Sequence, residues 1–267
     1  MHVRSNRFAA TSNDLIIKRE GQILSTDEAK LRIITWNCNG NLKKKIDRIW
    51  TIHPDIAIII EADKSSTIEN NGHWIPVSRS KGIGLFLSHG LSASPHSETN
   101  PSIQGIYPYQ ISGRWTGIVF CVWTHNADGN KKTNYIYQAY RGLKHYHHLL
   151  SNEYVIIAGD FNSNARWDNS RKIGNHSQVV DLLKSNQILS LYHEVVGVAH
   201  GAETESTFFQ YRKMQKAHHI DYLFASVKMI EKLESFDMGD TKNWLQISDH
   251  IPLIGQFYNQ DANAINP

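Results

Sequence analysis

The segment Ile156-Ile157-Ala158-Gly159-Asp160-Phe161-Asn162-Ser163-Asn164 constrains this chain more than any other. An apolar run of this kind belongs inside a sheet, and here it ends in a carboxylate followed closely by a carboxamide. Alternate residues of an extended strand point to the same side, which puts Asp160 and Asn162 on one face at a strand end. One group accepts a proton and the other donates a hydrogen bond without carrying charge. That pairing suits activation of a water beside an anionic phosphate. Gly-Asp and Asn are also ordinary turn residues, so the segment alone fits a capped loop as well.

The rest of the chain repeats the pattern of apolar runs closed by polar groups. Strands are predicted at 31–36, 55–60, 83–88, 115–124, 154–159, 220–226 and 251–258, and helices at 42–52, 134–151 and 175–187. Leu42, Ile46, Ile49 and Trp50 form one stripe of the first helix, which Pro54 terminates. Asn175 is placed to cap the last helix, with Val179, Val180, Leu182 and Leu183 inward. Residues 14–25 read as a hairpin around Glu20-Gly21. Many strands with few, irregularly spaced helices predict α+β layers. No Pro/Gly/Ser-rich linker or repeat divides the chain. One domain over 31–258 is expected, with an N-terminal extension at 1–30 and a polar tail at 259–267.

A net charge of +3 over 267 residues permits a polyanionic partner without demanding one, so nucleic-acid binding has to be argued from the site. Two cysteines, Cys38 and Cys121, sit in apolar strand-like segments and suit neither a disulfide framework nor a zinc site. No apolar stretch is long enough to span a membrane, and the N-terminus lacks the apolar core of a secretory signal. The expected compartment is the cytoplasm.

Strand ends taken in order supply Asn37, Glu61, His125, Asp160 with Asn162, Asp221, and Asp249 with His250. Glu61 directly follows Ile58-Ile59-Ile60, and a carboxylate closing such a run is costly to bury without a metal or a cationic partner. Glu61, Asp249 and the amide of Asn37 or Asn39 are oxygen donors of the kind Mg²⁺, or Mn²⁺ in its place, prefers. Simpler roles exist for each: Asp160 and Asn162 as turn caps, Glu61 in a structural ion pair, Asp221 paired with His219 or Arg212, and His125 as a loop histidine. Lys43, Lys44 and Lys45 read as a solvated helix face. The Lys144–His148 cluster lies on a helix without the second pair of ligands that zinc needs. Trp36, Trp115 and Trp123 read as core residues.

TWNCNG at 35–40, IIIE at 58–61, WTHN at 123–126, AGDFNSN at 158–164, HIDYLF at 219–224 and SDHIPL at 248–253 occur in that order. Together they resemble the endonuclease/exonuclease/phosphatase superfamily, the deoxyribonuclease I-like proteins. The resemblance runs from about Leu31 to Phe257. It implies a four-layer α/β/β/α sandwich of two mixed, largely antiparallel sheets and metal-dependent phosphoester hydrolysis. It further implies that Glu61 is the principal magnesium ligand, helped by Asn37, with Asp249 a second carboxylate near the metal. Asp160 is implied to orient or deprotonate the attacking water, and Asn162 to steady the phosphate and incoming oxygen. His250 is implied to contact the scissile phosphate, with its ring held by Asp221. His125 falls where deoxyribonuclease I and the sphingomyelinases carry histidine and apurinic endonucleases carry tyrosine.

Some positions depart from the pattern. Ile60-Glu61 replaces a common Gln-Glu pair, and Asn39 stands where some apurinic endonucleases have an acidic residue. With His125, these weaken a DNA-repair assignment and leave phosphodiesterase chemistry intact. The longer stretch DFNSNARWDN brings Asn164, Arg166 and Trp167 as substrate-binding candidates, by polar contact, phosphate pairing and stacking. The expected function is a Mg²⁺-dependent endonuclease on DNA. The alternatives are a phosphoesterase for a lipid, inositol phosphate or other small phosphorylated molecule, and a catalytically silent binding module on the same scaffold.

Overall fold

The structure is a computed structural model that describes residues 16–17, 23–24, 30–125 and 135–259. Two six-stranded sheets form its centre. In spatial order the first contains Leu233–Met238, Leu253–Tyr258, Lys30–Asn37, Ile56–Ala62, Gly82–Leu87 and His73–Pro76. The second contains Ile188–Ser190, Asp221–Ser226, Val155–Asp160, Gly117–Trp123, Ile106–Gly113 and Leu91–Pro95. In each sheet one central pair is parallel, Lys30–Asn37 with Ile56–Ala62 and Val155–Asp160 with Gly117–Trp123, while the other ladders are antiparallel.

Side-chain alternation builds the layers. Ile33, Ile58, Ile60 and Leu253 of the first sheet meet Val119, Cys121, Ile156 and Leu223 of the second in one dry core. Intervening residues point outward: Ile118, Phe120, Val122 and Ile157 pack under the helices Ile136–His145 and His176–Ser185. On the other side, Ile34, Trp36, Ala57 and Ile59 pack against Ile46, Ile49 and Trp244. Strands buried on both faces are therefore nearly continuous in Ile and Val, which is why they were legible in sequence. The result is the expected four-layer sandwich.

Trp36, Trp115 and Trp123 are buried as expected, and Asn175 caps its helix through Gln178 N–H at 2.9 Å. Cys38 and Cys121 are buried free thiols whose pKa values burial pushes up. Ile16–Ile17 pairs antiparallel with Ile23–Leu24, while the expected turn at Glu20-Gly21 lies outside the described residues. Among the described residues no helix is long and apolar enough to cross a membrane.

Three expectations need correction. The predicted helix at 134–151 is an α-helix only over Ile136–His145, followed by a 3₁₀ segment at His147–Ser151. The predicted helix at 42–52 divides likewise into a 3₁₀ turn, Leu42–Lys44, and a short α-helix, Ile46–Trp50. Strands His73–Pro76, Leu91–Pro95 and Ile106–Gly113 lie where loops were expected. The last of these contains Pro108, which argues against a central strand. Its carbonyl accepts from His96 N–H at 3.0 Å, just beyond the end of the edge strand at Pro95, so the missing N–H faces a place where the ladder has stopped.

Candidate active site

Both sheets deliver their polar residues to one rim. From the first sheet, Asn37 ends its strand and Glu61 sits at a β-bulge, where pairing with Gly82–Leu87 shifts register between Ile60 and Ala62. Glu61 has φ +59°, a left-handed backbone uncommon outside glycine. Bulges re-aim a side chain, and this one turns a carboxylate off an otherwise apolar strand. From the second sheet, Asp160 and Asp221 are direct antiparallel partners on neighbouring strands. Gly159 makes this possible: its φ is +144°, and a Cβ there would lie 1.9 Å from the Val122 carbonyl oxygen.

Asn37 ties the two sheets together. Its Nδ2 donates to Glu61 Oε1 at 3.1 Å and to Asp160 Oδ2 at 3.0 Å, while its Oδ1 accepts from Asn39 N–H at 2.9 Å. Asn162 stands over Asp160: its backbone N–H donates to Oδ1 at 2.8 Å, and its Nδ2 donates to Oδ2 at 3.1 Å and to the Thr124 carbonyl at 2.9 Å. These groups meet for a reason other than strand alternation. The strand stops at Asp160, Asn162 takes φ +46°, and the chain folds back in an Asx-type turn.

His250 donates from Nδ1 to Asp221 Oδ2 at 2.8 Å, with both side chains buried. Trp36 Nε1–H holds the His250 carbonyl at 3.0 Å, and Ser248 Oγ bridges His250 N–H and the Asn37 carbonyl. Ligand-capable atoms of Asp160, Asp221 and His250 lie within 4.8 Å of one another. Burial first, then the neighbouring Asp221 charge, raises the Asp160 carboxyl to about 7. Burial would depress His250, but Asp221, Asp160 and Asp249 outweigh it and raise the imidazole to about 9. The pair is therefore poised for proton handling near neutrality.

Glu61 Oε2 carries the Lys81 ammonium at 2.5 Å, a partner that sequence reading missed. Twenty residues separate the two in the chain, and only the return of the Gly82–Leu87 strand beside the Glu61 strand brings them together. The ammonium shows that this carboxylate accepts a cation. Asp249 Oδ1 is buried without a hydrogen-bond partner. An ion-paired carboxylate, an orphaned carboxylate oxygen and the Asn37 amide are hard oxygen donors, and they fit a Mg²⁺-type ion.

The remaining predicted residues divide. The His125 ring stacks on Trp123 at 5.3 Å, and its backbone pairs with the Gln138 carboxamide, one residue beyond the Thr124 N–H that donates to the Asp160 carbonyl. Asn164 departs from the expected substrate contact: it is 3% exposed, and its Nδ2 binds Glu203 Oε2 at 3.1 Å and the His219 carbonyl at 2.9 Å. Arg166 holds the carbonyls of Gly201 and Glu203. Trp167 is 52% exposed, and with Asn162, Ser163, Tyr135, Tyr137 and Ile173 it lines a cleft of about 600 Å³. The Lys144–His148 cluster forms no ligand group: His148 pairs with Glu98 at 2.5 Å on the surface. Lys43 pairs with Glu69, whereas Lys45 is not simply solvated and donates to the Cys38 carbonyl.

A search of curated proteins found no significant match. The endonuclease domain of TRAS1, a telomere-specific non-LTR retrotransposon, superposes with a TM-score of 0.60 at 17% identity, covering 86% of this chain and 99% of that one. An AP endonuclease from Archaeoglobus fulgidus gives 0.58 at 18% identity, covering 85% and 99%. Truncated Caenorhabditis elegans TDP2 gives 0.60 at 12% identity, covering 86% and 98%. These likenesses establish the fold. The profile of the endonuclease/exonuclease/phosphatase family matches residues 34–250, which include every rim residue above. The chain belongs to that family, whose members are metal-dependent phosphoric ester hydrolases.

Proposed function

We propose that this protein is a Mg²⁺-dependent phosphodiesterase, an endonuclease that hydrolyses DNA phosphodiester bonds by attack of water at phosphorus. The observation that carries the reading is the continuous network from Glu61 through Asn37 to Asp160, with the Asp221–His250 pair alongside. Glu61, Asp249 and the Asn37 carboxamide oxygen would hold the ion, with Mn²⁺ able to substitute. When bound, it neutralises charge growing on the phosphate oxygens.

Asp160 takes the proton of the attacking water. Its raised pKa gives it a base strength matched to neutral pH. Asn37 and Asn162 fix both carboxylate oxygens and so aim the free lone pairs. Asn162 Nδ2 lies beside Asp160 Oδ2 and steadies the phosphate once one of its present bonds exchanges. His250, protonated and held by Asp221, donates from Nε2 to a phosphate oxygen, stabilising charge where it develops. His125 stands at the adjoining strand end as a further phosphate contact.

Support for a nucleic-acid substrate comes from the surface around the rim. Trp167 and Tyr211 are half or more exposed, at 52% and 72%, and offer stacking faces. Arg166, Lys172, Arg212 and Lys213 lie in the same loops and can follow a phosphate backbone. The solved structures that share the fold include a product-DNA complex of a Neisseria 3′ phosphatase and two AP endonucleases. Incubation with supercoiled, linear and single-stranded DNA and with RNA, each with Mg²⁺, Mn²⁺ or EDTA, tests the reading. Metal-dependent conversion of supercoiled to nicked DNA is expected. Cleavage of none of these, with phosphate released from inositol phosphates or lipids, would move the assignment to a small-substrate phosphoesterase.

A further inference from the structure

Behind the rim lies a second cluster that the hydrolytic chemistry does not use. His193 comes from the short helix Leu191–Val196, His176 from the start of His176–Ser185, and His200 and Glu203 from the segment that follows Gly197. His193 Nε2 is 3.2 Å from Glu203 Oε1, and His176 Nε2 is 3.3 Å from His200 Nδ1. Ligand-capable atoms of His193, His200 and Glu203 all fall within 4.8 Å of one another. Two nitrogens at Zn–N lengths of 2.0–2.1 Å in a tetrahedral site are about 3.3 Å apart, so the donor spacings match a coordination shell while the ring orientations do not.

Hydrogen bonding alone leaves the cluster incomplete. His176 and His219 are 0% and 3% exposed, yet His176 Nδ1 and His219 Nε2 have no hydrogen-bond partner. Between His176 and His200 only one ring can donate across the 3.3 Å contact. Whichever does so, the other nitrogen of His176 stays buried and unpaired, at a cost of about 1–3 kcal/mol.

We propose that His193, His200 and Glu203 bind a single divalent transition-metal ion of the zinc type. Nitrogen and carboxylate donors of this number suit zinc and exclude the oxygen-only preference of Mg²⁺. The His193 and His200 rings are stacked at 3.5 Å and 15°, and lone pairs lying in parallel ring planes do not meet at a point. Binding therefore turns His200, the more exposed of the two, out of the stack.

The site would act on the rim through Asn164 and Arg166. Asn164 Nδ2 donates to Glu203 Oε2, and Arg166 holds the Glu203 and Gly201 carbonyls. An ion on Glu203 thus braces the loop that runs from Asn162 to Trp167. The role is positioning, two layers removed from the reacting phosphate.

The full-length protein, stripped with a strong chelator and titrated with Co²⁺, tests this. One equivalent should give the intense visible ligand-field band of a four- or five-coordinate ion, and Zn²⁺ should displace it and raise Tm by several degrees. Glu203→Gln and His200→Gln should weaken Co²⁺ binding at least tenfold and bleach the band, while Glu61→Gln should leave it intact. The wild-type titration decides even if a variant misfolds: no such band overturns the proposal. So does a band that survives in both variants or disappears in Glu61→Gln.

Discussion

Asp160→Asn should make the protein more stable as pH rises, relative to wild type, while it removes activity. Asp160 is 1% exposed, and burial beside Asp221 raises its carboxyl from 3.8 to about 7. A group with a folded pKa above its unfolded value contributes stability that is complete below the unfolded pKa. That stability is lost as pH climbs through the folded one. Each unit corresponds to about 1.4 kcal/mol, and about two units remain to be lost between pH 5 and pH 8. The value of about 7 already includes the lowering by protonated His250, so nothing is subtracted for that pair. A widening of about 2–3 kcal/mol in favour of the variant is expected over that interval. The substitution also deprives Asn37 and Asn162 of one acceptor, but that cost is the same at every pH and cancels in the difference. Urea unfolding in EDTA at pH 5, 6.5 and 8 measures it. A stability gap that stays flat or narrows as pH rises refutes the reasoning that Asp160 is buried at an ionisation cost.

Other perturbations probe separate parts of the site. Asp221→Asn removes the charge that holds His250 near 9, so burial should take over and the alkaline limb of kcat/KM should move below neutral pH, with activity reduced about 10²–10⁴-fold. An unmoved alkaline limb would contradict the pairing. Lys81→Met frees the Glu61 carboxylate, and Mn²⁺ affinity measured by calorimetry should rise about 3- to 10-fold, a modest effect because the pair is partly exposed. Unchanged or weaker binding would place the ion away from Glu61. Gly159→Ala forces a Cβ to 1.9 Å from the Val122 carbonyl oxygen, and thermal unfolding should show a loss of about 3–5 kcal/mol. A normal Tm would mean that the strand can reroute.

The layers were legible in sequence because strands buried on both faces must be apolar throughout, as in Ile56–Ile60 and Val155–Ala158. Edge strands such as Leu91–Pro95 were not, since their half-exposed residues carry no such signal. Pro108 sits in a strand because a strand tolerates proline where its neighbour has ended. The candidate site was legible as polar groups closing apolar runs, and the structure brings Asn37, Glu61, Asp160, Asn162, Asp221 and His250 together. What sequence could not show was how they meet. The bulge under Glu61, the turn that folds Asn162 over Asp160, and the Lys81 pair all depend on register between distant strands. Asn164 illustrates the converse error, a residue beside the catalytic pair whose carboxamide is turned inward.

The central claim is that one rim, built from both sheets, hydrolyses phosphodiester bonds with a divalent ion. Initial rates of supercoiled-plasmid nicking, followed against Mg²⁺ concentration in wild type and in His250→Ala, test it most directly. Saturable Mg²⁺ dependence in wild type, abolished by EDTA, with at least about 10²-fold slower nicking in a variant that still unfolds cooperatively above the assay temperature, is the predicted result. Equal rates in the two proteins, or nicking that persists in EDTA, would contradict it.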